Sequence, residues 1–365
     1  MKKIAVILLA LASFADADAQ LLKPGFDVSE FEECICVSSH FKELPGLDSK
    51  YFSPEPKMYR RLYTSPVVGF DNVWELWQAP NGVAMINLRA SVTTMKSWLS
   101  NFHAGQVKAQ GTYTLGKAYE YSLCDNSEAR VHAGWLGSML SMYDDILAHI
   151  DSCYKAGVKD FIIAGHSQGG TLCYLLTANL LHDKVNGKIP SDITFKTYCS
   201  GASKPGDYAF ACEYEYMTRG GWAFNVVNPE DWVPETPLSE QQMSDFNATN
   251  PFNRLDQMGQ LLDTVSAVDR FKAKMLFKIL RRPLARSERK LRKYLGKKVG
   301  KMLVDEQPAY VLPEFEKCAN YVRCGQTVIL KPDAEYLKRH PHNADDMFEH
   351  HMYKSYYELI RAYKE

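Results

Sequence analysis

The chain has 365 residues, 43 basic and 43 acidic side chains, and apolar and charged fractions of 46% and 24%. These values are typical of a globular protein and argue against a disordered chain. The nine cysteines are scattered without a CxxC pair, which argues against a small disulfide scaffold and a zinc ribbon. Cys318 and Cys324 are the best candidates for a disulfide, and Cys173 and Cys199 are expected in the core.

The N-terminus has the pattern of an export signal. Met1-Lys2-Lys3 precedes an apolar run, and Ala17-Asp18-Ala19 fits an A-x-A cleavage site. We therefore predict a signal peptide over residues 1–19 and a secreted or periplasmic mature protein. The apolar run is too short to span a bilayer, and no later stretch is apolar for long enough, so no transmembrane segment is expected.

Apolar periodicity predicts alternating helices and strands along most of the chain. The predicted helices cover residues 27–42, 94–102, 131–153, 171–181 and 344–364. The predicted strands cover residues 71–78, 83–88, a run that starts at Phe161, 193–198 and 222–227. The first two form a hairpin, because Asn81-Gly82 supplies a tight turn. The alternation predicts an α/β fold with a mostly parallel central sheet and helices on both faces.

One segment breaks this alternation. Residues 250–305, approximately, lack strand signals and are interpreted as a helical insertion in a single domain that spans residues 20–365. Between Arg270 and Met302 there are 14 Lys or Arg residues and one acidic residue, Glu288. The insertion is either a pair of solvated cationic helices or a lid-like helix in transient contact with an anionic lipid surface. Nucleic-acid binding is disfavoured, because interleaved aromatic residues are missing and the chain is predicted to be exported.

The chemistry of the chain centres on Ser167. An apolar run from Phe161 ends abruptly in Gly165-His166-Ser167-Gln168-Gly169, and a helical pattern follows. G-x-S-x-G between a strand and a helix is the pattern of a nucleophile elbow, in which glycines allow a strained and tightly packed turn. The pentapeptide also arises by chance in glycine-rich loops. An acid and then a histidine downstream are therefore needed before Ser167 can be assigned as a nucleophile.

Both residue types follow in that order. Asp231 lies in a loop just after a predicted strand, where it could orient a base, although Glu230 is adjacent and a turn-capping aspartate is the ordinary alternative. Four histidines come later in the chain: His340, His342, His350 and His351. The last two come directly before an amphipathic helix, so their positions should be more fixed than those of the first two, which flank Pro341 in a loop.

Several stretches, in order over roughly residues 88–360, resemble motifs of the class 3 (fungal-type) lipases, a family of α/β-hydrolases. The matching stretches are Leu88-Arg89-Ala90-Ser91, Val131-His132-Ala133-Gly134-Trp135, Gly165 to Gly170, Lys204-Pro205-Gly206-Asp207 and Asn228 to Pro234. His351 to Tyr356 fits the family's H-x-x-x-x-Y, which favours His351 over His350.

The resemblance implies an α/β-hydrolase fold and a serine carboxylic-ester hydrolase, such as a lipase, phospholipase A1 or esterase. Ser167 would be the nucleophile, His351 the general base and Asp231 the residue that orients it. Ser91 and the backbone N–H of Gln168 would form the oxyanion hole. No metal or organic cofactor is implied. His132 and His166 are interpreted as structural histidines. His132 belongs to the separate stretch Val131–Trp135, and His166 is part of the elbow itself.

Some features depart from the family pattern. Ala90 replaces a glycine beside the oxyanion residue, and residues 92–102 are too few for a large lid. The interval between Asp231 and His351 is unusually long, so the substrate preference of the family cannot be assumed for this chain. Two rival hypotheses stay open: a catalytically silent relative that binds a surface through its basic helices, and a serine hydrolase of thioesters or amides.

Overall fold

The computed structural model describes residues 20–42, 48–242, 245–246, 267–268, 271, 275, 285–343 and 345–364. The predicted signal peptide over residues 1–19 lies outside the described residues. So does most of the predicted helical insertion up to residue 284. In the described part of the chain, no helix is long and apolar enough to cross a membrane.

The described strands, in chain order, are β1 (Arg60–Thr64), β2 (Trp74–Gln78), β3 (Ala84–Leu88), β4 (Gln106–Lys108), β5 (Gln110–Leu115), β6 (Lys117–Ser122), β7 (Arg130–His132), β8 (Asp160–His166), β9 (Thr194–Ser200), β10 (Ala223–Val227) and β11 (Gln326–Ile329). The described α-helices are α1 (Val28–Ser39), α2 (Met95–Phe102), α3 (Ala133–Lys155), α4 (Gln168–Val185), α5 (Tyr208–Met217), α6 (Val299–Glu306), α7 (Ala334–Arg339) and α8 (Tyr353–Ala362). A π-helical segment, Arg292–Lys298, leads directly into α6.

Seven strands form the central sheet, in the order β1-β2-β3-β8-β9-β10-β11. The pairs β1–β2 and β2–β3 are antiparallel, whereas every pair from β3 to β11 is parallel. The predicted hairpin and the mostly parallel sheet are therefore confirmed. The edge strands β1 and β11 and two small sheets, β4–β7 and β5–β6, were not predicted.

Helices cover both faces of this sheet, as predicted. Along β8, Phe161 and Ile163 enter the hydrophobic core beneath α3 and α4, and Ile162 and Ala164 enter the core beneath α1 and α8. Successive side chains of a strand point to opposite faces, so a strand covered on both sides is apolar throughout. This explains why the sequence before Ser167 reads as an unbroken apolar run.

Three helix boundaries differ from the prediction. Helix α3 starts at Ala133, because Val131 and His132 belong to the short strand β7. Helix α4 starts earlier, at Gln168, directly after the serine. The last helix starts at Tyr353, and a separate 3₁₀ turn, Glu349–His351, precedes it.

The cysteine predictions have mixed outcomes. Cys173 and Cys199 are buried in the core, as expected. The proposed Cys318–Cys324 disulfide was wrong, because both residues are buried as free thiols. The chain between them pairs at Ala319 with Glu240 and at Val322 with Gly206, and these bridges hold the two cysteines at separate sites.

The described end of the basic insertion is helical and packs beside α2. Leu303 of α6 is fully buried in the main core. His103, which follows α2, has its Nε2 2.7 Å from the Tyr310 hydroxyl and its Nδ1 3.4 Å from the Leu295 carbonyl. These contacts place the π-helical segment beside the end of α2.

Candidate active site

Ser167 occupies a sharp turn between β8 and α4. Its φ is 59° and its ψ is −126°, an uncommon backbone conformation for a residue with a side chain. The turn requires Gly169, since a Cβ there would collide with the carbonyl oxygen of Leu88 in the neighbouring strand. A Cβ at Gly165 would lie 2.5 Å from the Gly169 carbonyl carbon. The strand, turn and helix therefore form the predicted elbow.

The serine opens into a mostly apolar cavity of about 580 Å³. The cavity is also lined by Ser91, Gln168 and His351, so the structure brings four of the five predicted site residues to one cavity. Its other lining residues are largely apolar and include Val92, Trp98, Phe102, Val233, Leu238, Leu295 and Phe348. A cavity of this size and polarity suits a ligand with an apolar chain.

Asp231, the fifth predicted residue, lies behind the cavity wall and contacts His351. The distance between Asp231 Oδ2 and His351 Nδ1 is 2.7 Å, and the two residues are 3% and 4% exposed. The same oxygen accepts a 2.8 Å hydrogen bond from the Tyr356 hydroxyl, and Oδ1 accepts one from the Val233 backbone N–H at 2.9 Å. Among the described residues, these donors satisfy the buried carboxylate and no Arg or Lys pairs with it.

The other histidines after Asp231 face elsewhere. His350 Nδ1 lies 3.2 Å from the Tyr336 hydroxyl, and burial lowers the pKa of this ring. His340 sits between Glu349 and Glu358, at 2.5 Å and 3.0 Å. The remaining ring, His342, is largely exposed and pairs with the predicted alternative acid, Glu230, at 3.3 Å. In the described part of the chain, only His351 therefore combines contact with Asp231 and a place on the cavity wall.

His166 supports the backbone of His351. Its Nε2 lies 2.6 Å from the His351 carbonyl oxygen, which can only accept, so Nε2 carries the proton. The Ser200 hydroxyl then donates to His166 Nδ1 at 3.0 Å. Burial lowers the pKa of His166 well below its usual value, and the nearby His351 lowers it further. A neutral, fixed ring agrees with the structural role predicted for His166.

His132 also has structural contacts. Its Nδ1 accepts a hydrogen bond from the Trp135 backbone N–H at 3.2 Å and so caps the first turn of α3. Its Nε2 lies 3.1 Å from the backbone carbonyl of Asn101, at the end of α2. This contact joins α3 to the segment after β3, which carries Ser91, the predicted oxyanion-hole residue.

Asn101, which the sequence did not single out, organises the wall around Ser91. Its Oδ1 accepts hydrogen bonds from Gln168 Nε2 at 2.7 Å and from Trp135 Nε1 at 2.9 Å. An indole nitrogen can only donate, so the orientation of the Asn101 amide is fixed. Its Nδ2 must then donate to Ser91 Oγ, 2.8 Å away, which leaves the Ser91 hydroxyl proton free for another acceptor.

A serine on a strained strand–helix turn of a mostly parallel sheet, and a buried Asp–His pair whose histidine lines the same cavity, have the arrangement of an α/β-hydrolase site. The class 3 lipase family model matches residues 85–241 of this chain. The predicted resemblance is therefore confirmed over this segment, and the family supports a carboxylic ester hydrolase of the lipase class.

Comparison with solved structures gives fungal lipases. One is a fungal lipase in complex with an inhibitor, with 19% identity, 57% of this chain and 74% of that chain covered, and a TM-score of 0.43. Another is the Rhizomucor miehei lipase in complex with its propeptide, at 15% identity, 62% and 75% coverage, and a TM-score of 0.41. A third is a triacylglycerol lipase from Penicillium expansum, at 18% identity, 58% and 75% coverage, and a TM-score of 0.39. A comparison with curated protein sequences gives no match.

Proposed function

We propose that the protein is a serine carboxylic-ester hydrolase that acts on acylglycerols or related lipid esters through an acyl-enzyme on Ser167. The observation that carries this proposal is the 2.7 Å contact between Asp231 and a histidine, His351, that lines the same cavity as the elbow serine. The export predicted from residues 1–19 would place this activity outside the cytoplasm.

In the first step, the hydroxyl oxygen of Ser167 attacks the ester carbonyl carbon, and His351 Nε2 takes the hydroxyl proton. The Asp231 carboxylate accepts from Nδ1–H, so it holds the ring in the tautomer with a free Nε2 and stabilises the imidazolium. The tetrahedral intermediate collapses to an acyl-enzyme, and His351 gives its proton to the departing alcohol. Water then enters with His351 again as base, and the carboxylic acid leaves.

The negative charge on the carbonyl oxygen needs donors in both steps. The backbone N–H of Gln168 is at the N-terminus of α4, where the helix dipole also favours negative charge. Ser91 supplies the second donor, since its hydroxyl accepts from Asn101 and keeps its own proton available. Each such donor lowers the barrier by roughly 3 kcal/mol.

A chain-length series of soluble and emulsified esters, tested beside matched amides and thioesters, examines this proposal. We expect ester hydrolysis by the purified protein and its loss, by a factor of about 10⁴ or more, in Ser167→Ala. Faster turnover of the amide or the thioester than of the matched ester would contradict the lipid-ester proposal. Full retention of the biological role by Ser167→Ala would favour the catalytically silent alternative.

We further propose that the basic segment between Arg270 and Met302 makes transient contact with an anionic lipid surface. Within its described part, a row of cationic side chains is exposed: Arg286, Arg289, Lys290, Lys293, Lys297, Lys298 and Lys301. Leu295, in the same stretch, lines the cavity, and two apolar residues of the cavity wall, Phe102 and Leu238, are exposed. Cations beside exposed apolar groups are the pattern of an interfacial surface.

The matched variants Lys290→Gln/Lys297→Gln and Lys155→Gln/Lys188→Gln test this contact, because all four lysines are exposed. Only the first pair should weaken sedimentation with phosphatidylglycerol vesicles, by about 2 kcal/mol or roughly 30-fold in partition. Hydrolysis of a soluble short ester should be unchanged in both variants. Equal vesicle binding by the two pairs would refute the proposal.

A further inference from the structure

A second cluster of chemically active side chains lies where α4, α5 and the loop after β6 meet. Asp125 comes from the loop, His182 from the last turn of α4, and Glu213 from the middle of α5. Each residue offers one ligand atom, and these atoms all lie within 4.8 Å of one another. The proposed ester hydrolysis uses none of these residues.

His182 provides an independent observation that points to a ligand. The residue is only 5% exposed, and its Nε2 is buried without a hydrogen-bond partner. A buried polar atom without a partner destabilises the folded state, so such an atom calls for an explanation. The ring lies between two carboxylates, because Nε2 is 3.5 Å from Glu213 Oε1 and Nδ1 is 3.5 Å from Asp125 Oδ1.

The separation between His182 Nε2 and Glu213 Oε1 fits coordination of one shared ion better than a direct hydrogen bond. An N–H···O hydrogen bond between protein groups spans about 2.7–3.2 Å, which is shorter than either separation here. Two ligands bound tetrahedrally to zinc at about 2.0–2.1 Å lie roughly 3.3 Å apart. A cation on one imidazole nitrogen, with the Asp125 and Glu213 oxygens drawn in, would supply the partner that the ring lacks.

The donor set indicates the kind of cation. One imidazole and two carboxylates suit a zinc-class ion, whereas calcium and magnesium prefer oxygen ligands alone. A buried thiol is also at hand, since Cys124 Sγ donates to Glu213 Oε2 at 2.6 Å. Glu213 also accepts from the backbone N–H of Asn126 at 3.0 Å, which holds its carboxylate toward the loop. We propose that Asp125, His182 and Glu213 bind a divalent cation of the zinc class.

The proposed ion would fasten three separate elements together. Asp125 is 92% exposed on its side chain, so the ion can enter from solvent. Because binding a ligand to the folded state stabilises it, zinc should raise the melting temperature in a concentration-dependent way. The effect would be structural and is independent of whether Ser167 hydrolyses esters.

Equilibrium dialysis of the full mature chain against Zn²⁺ alone tests the site. A Cys212→Ser background removes the exposed thiol. We expect one Zn²⁺ per chain and a loss of affinity of about 100-fold in both Asp125→Asn and His182→Gln. The matched control is His149→Gln, since this histidine is partly exposed on α3 near Asp145, and its zinc binding should equal that of the background protein.

Thermal unfolding gives a second readout. Zinc should raise the melting temperature of the Cys212→Ser protein and of His149→Gln, but not that of Asp125→Asn, whose exposed side chain is not needed for folding. Absence of zinc binding by the background protein, or equal binding and equal stabilisation in Asp125→Asn, would overturn the proposal. The cluster would then be a contact between His182 and two carboxylates that holds no ion.

Discussion

Tyr356 donates a hydrogen bond to Oδ2 of Asp231, the same carboxylate oxygen that His351 contacts. The Tyr356 hydroxyl also accepts from the Asn228 backbone N–H at 3.2 Å, so its proton is directed to the carboxylate. Burial and the negative charge of Asp231 raise the pKa of Tyr356 well above its usual value, which keeps the hydroxyl protonated. Tyr356 is therefore a positioning residue for the proposed acid.

Replacing Tyr356 with Phe should lower kcat for a soluble ester by about tenfold, the effect of one charge-assisted hydrogen bond. KM should change little, because the hydroxyl does not face the cavity. The comparison variant is Tyr113→Phe, which removes a buried hydroxyl bonded to the Ala133 carbonyl far from Asp231. Equal kcat losses in the two variants would mean that the Tyr356 hydroxyl only supports folding.

Asn101→Asp tests the direction of the hydrogen bond to Ser91. An aspartate would keep the acceptor for Gln168 and Trp135 but would capture the Ser91 hydroxyl proton. We expect a kcat loss of about 100-fold, close to that of Ser91→Ala. The double variant should lose no more than either single variant, since both remove the same donor. Additive losses would contradict this use of the Ser91 proton.

The backbone of Ser167 predicts a conflict between stability and activity. Its positive φ strains any residue with a Cβ, and glycine relieves this strain. Ser167→Gly and Ser167→Ala should both be inactive, yet the glycine variant should be more stable than the alanine variant by about 1–2 kcal/mol. Denaturant unfolding measures the difference. A less stable glycine variant would show that the turn is unstrained.

Acid should weaken the fold through His103. Burial lowers the pKa of this histidine from 6.5 to about 4. Between these values the unfolded chain binds a proton that the folded chain does not, so stability falls as pH drops from 6.5 to 4, by about 3 kcal/mol from this group. His103→Gln should unfold with a smaller difference in free energy between pH 7 and pH 4.5. The same pH dependence in both proteins would contradict the assignment.

The sequence predicted the central sheet because its strands carry strong local signals. The run before Ser167 is apolar on both faces, and Asn81-Gly82 marks the hairpin turn. The edge strands β1 and β11 escaped prediction because both are short and mostly exposed, so they have little apolar pattern. The β5–β6 hairpin could have been found, since Gly116 separates two strands in which Tyr113, Leu115 and Tyr121 are buried at alternating positions.

The sequence also named candidate site residues, and these belong to linear motifs. It could not name Asn101. The Asn101 amide orients the Ser91 hydroxyl only because Trp135 and Ser91 reach it from other elements of the fold. For the same reason, the contact between Asp231 and the Tyr356 hydroxyl depends on how α8 packs beneath the sheet. Residues that contact a motif residue only in the folded structure have no recognisable pattern in the sequence.

Covalent labelling with a fluorophosphonate tests the central claim most directly, because this reagent reacts with an activated serine. Intact-mass and peptide mass spectrometry should find one adduct per chain, on Ser167, and none on Ser167→Ala. Labelling should slow by about 10³-fold in His351→Ala and stay unchanged in His350→Ala. No adduct, an adduct on another serine, or slowing in His350→Ala alone would contradict a Ser167–His351–Asp231 active site.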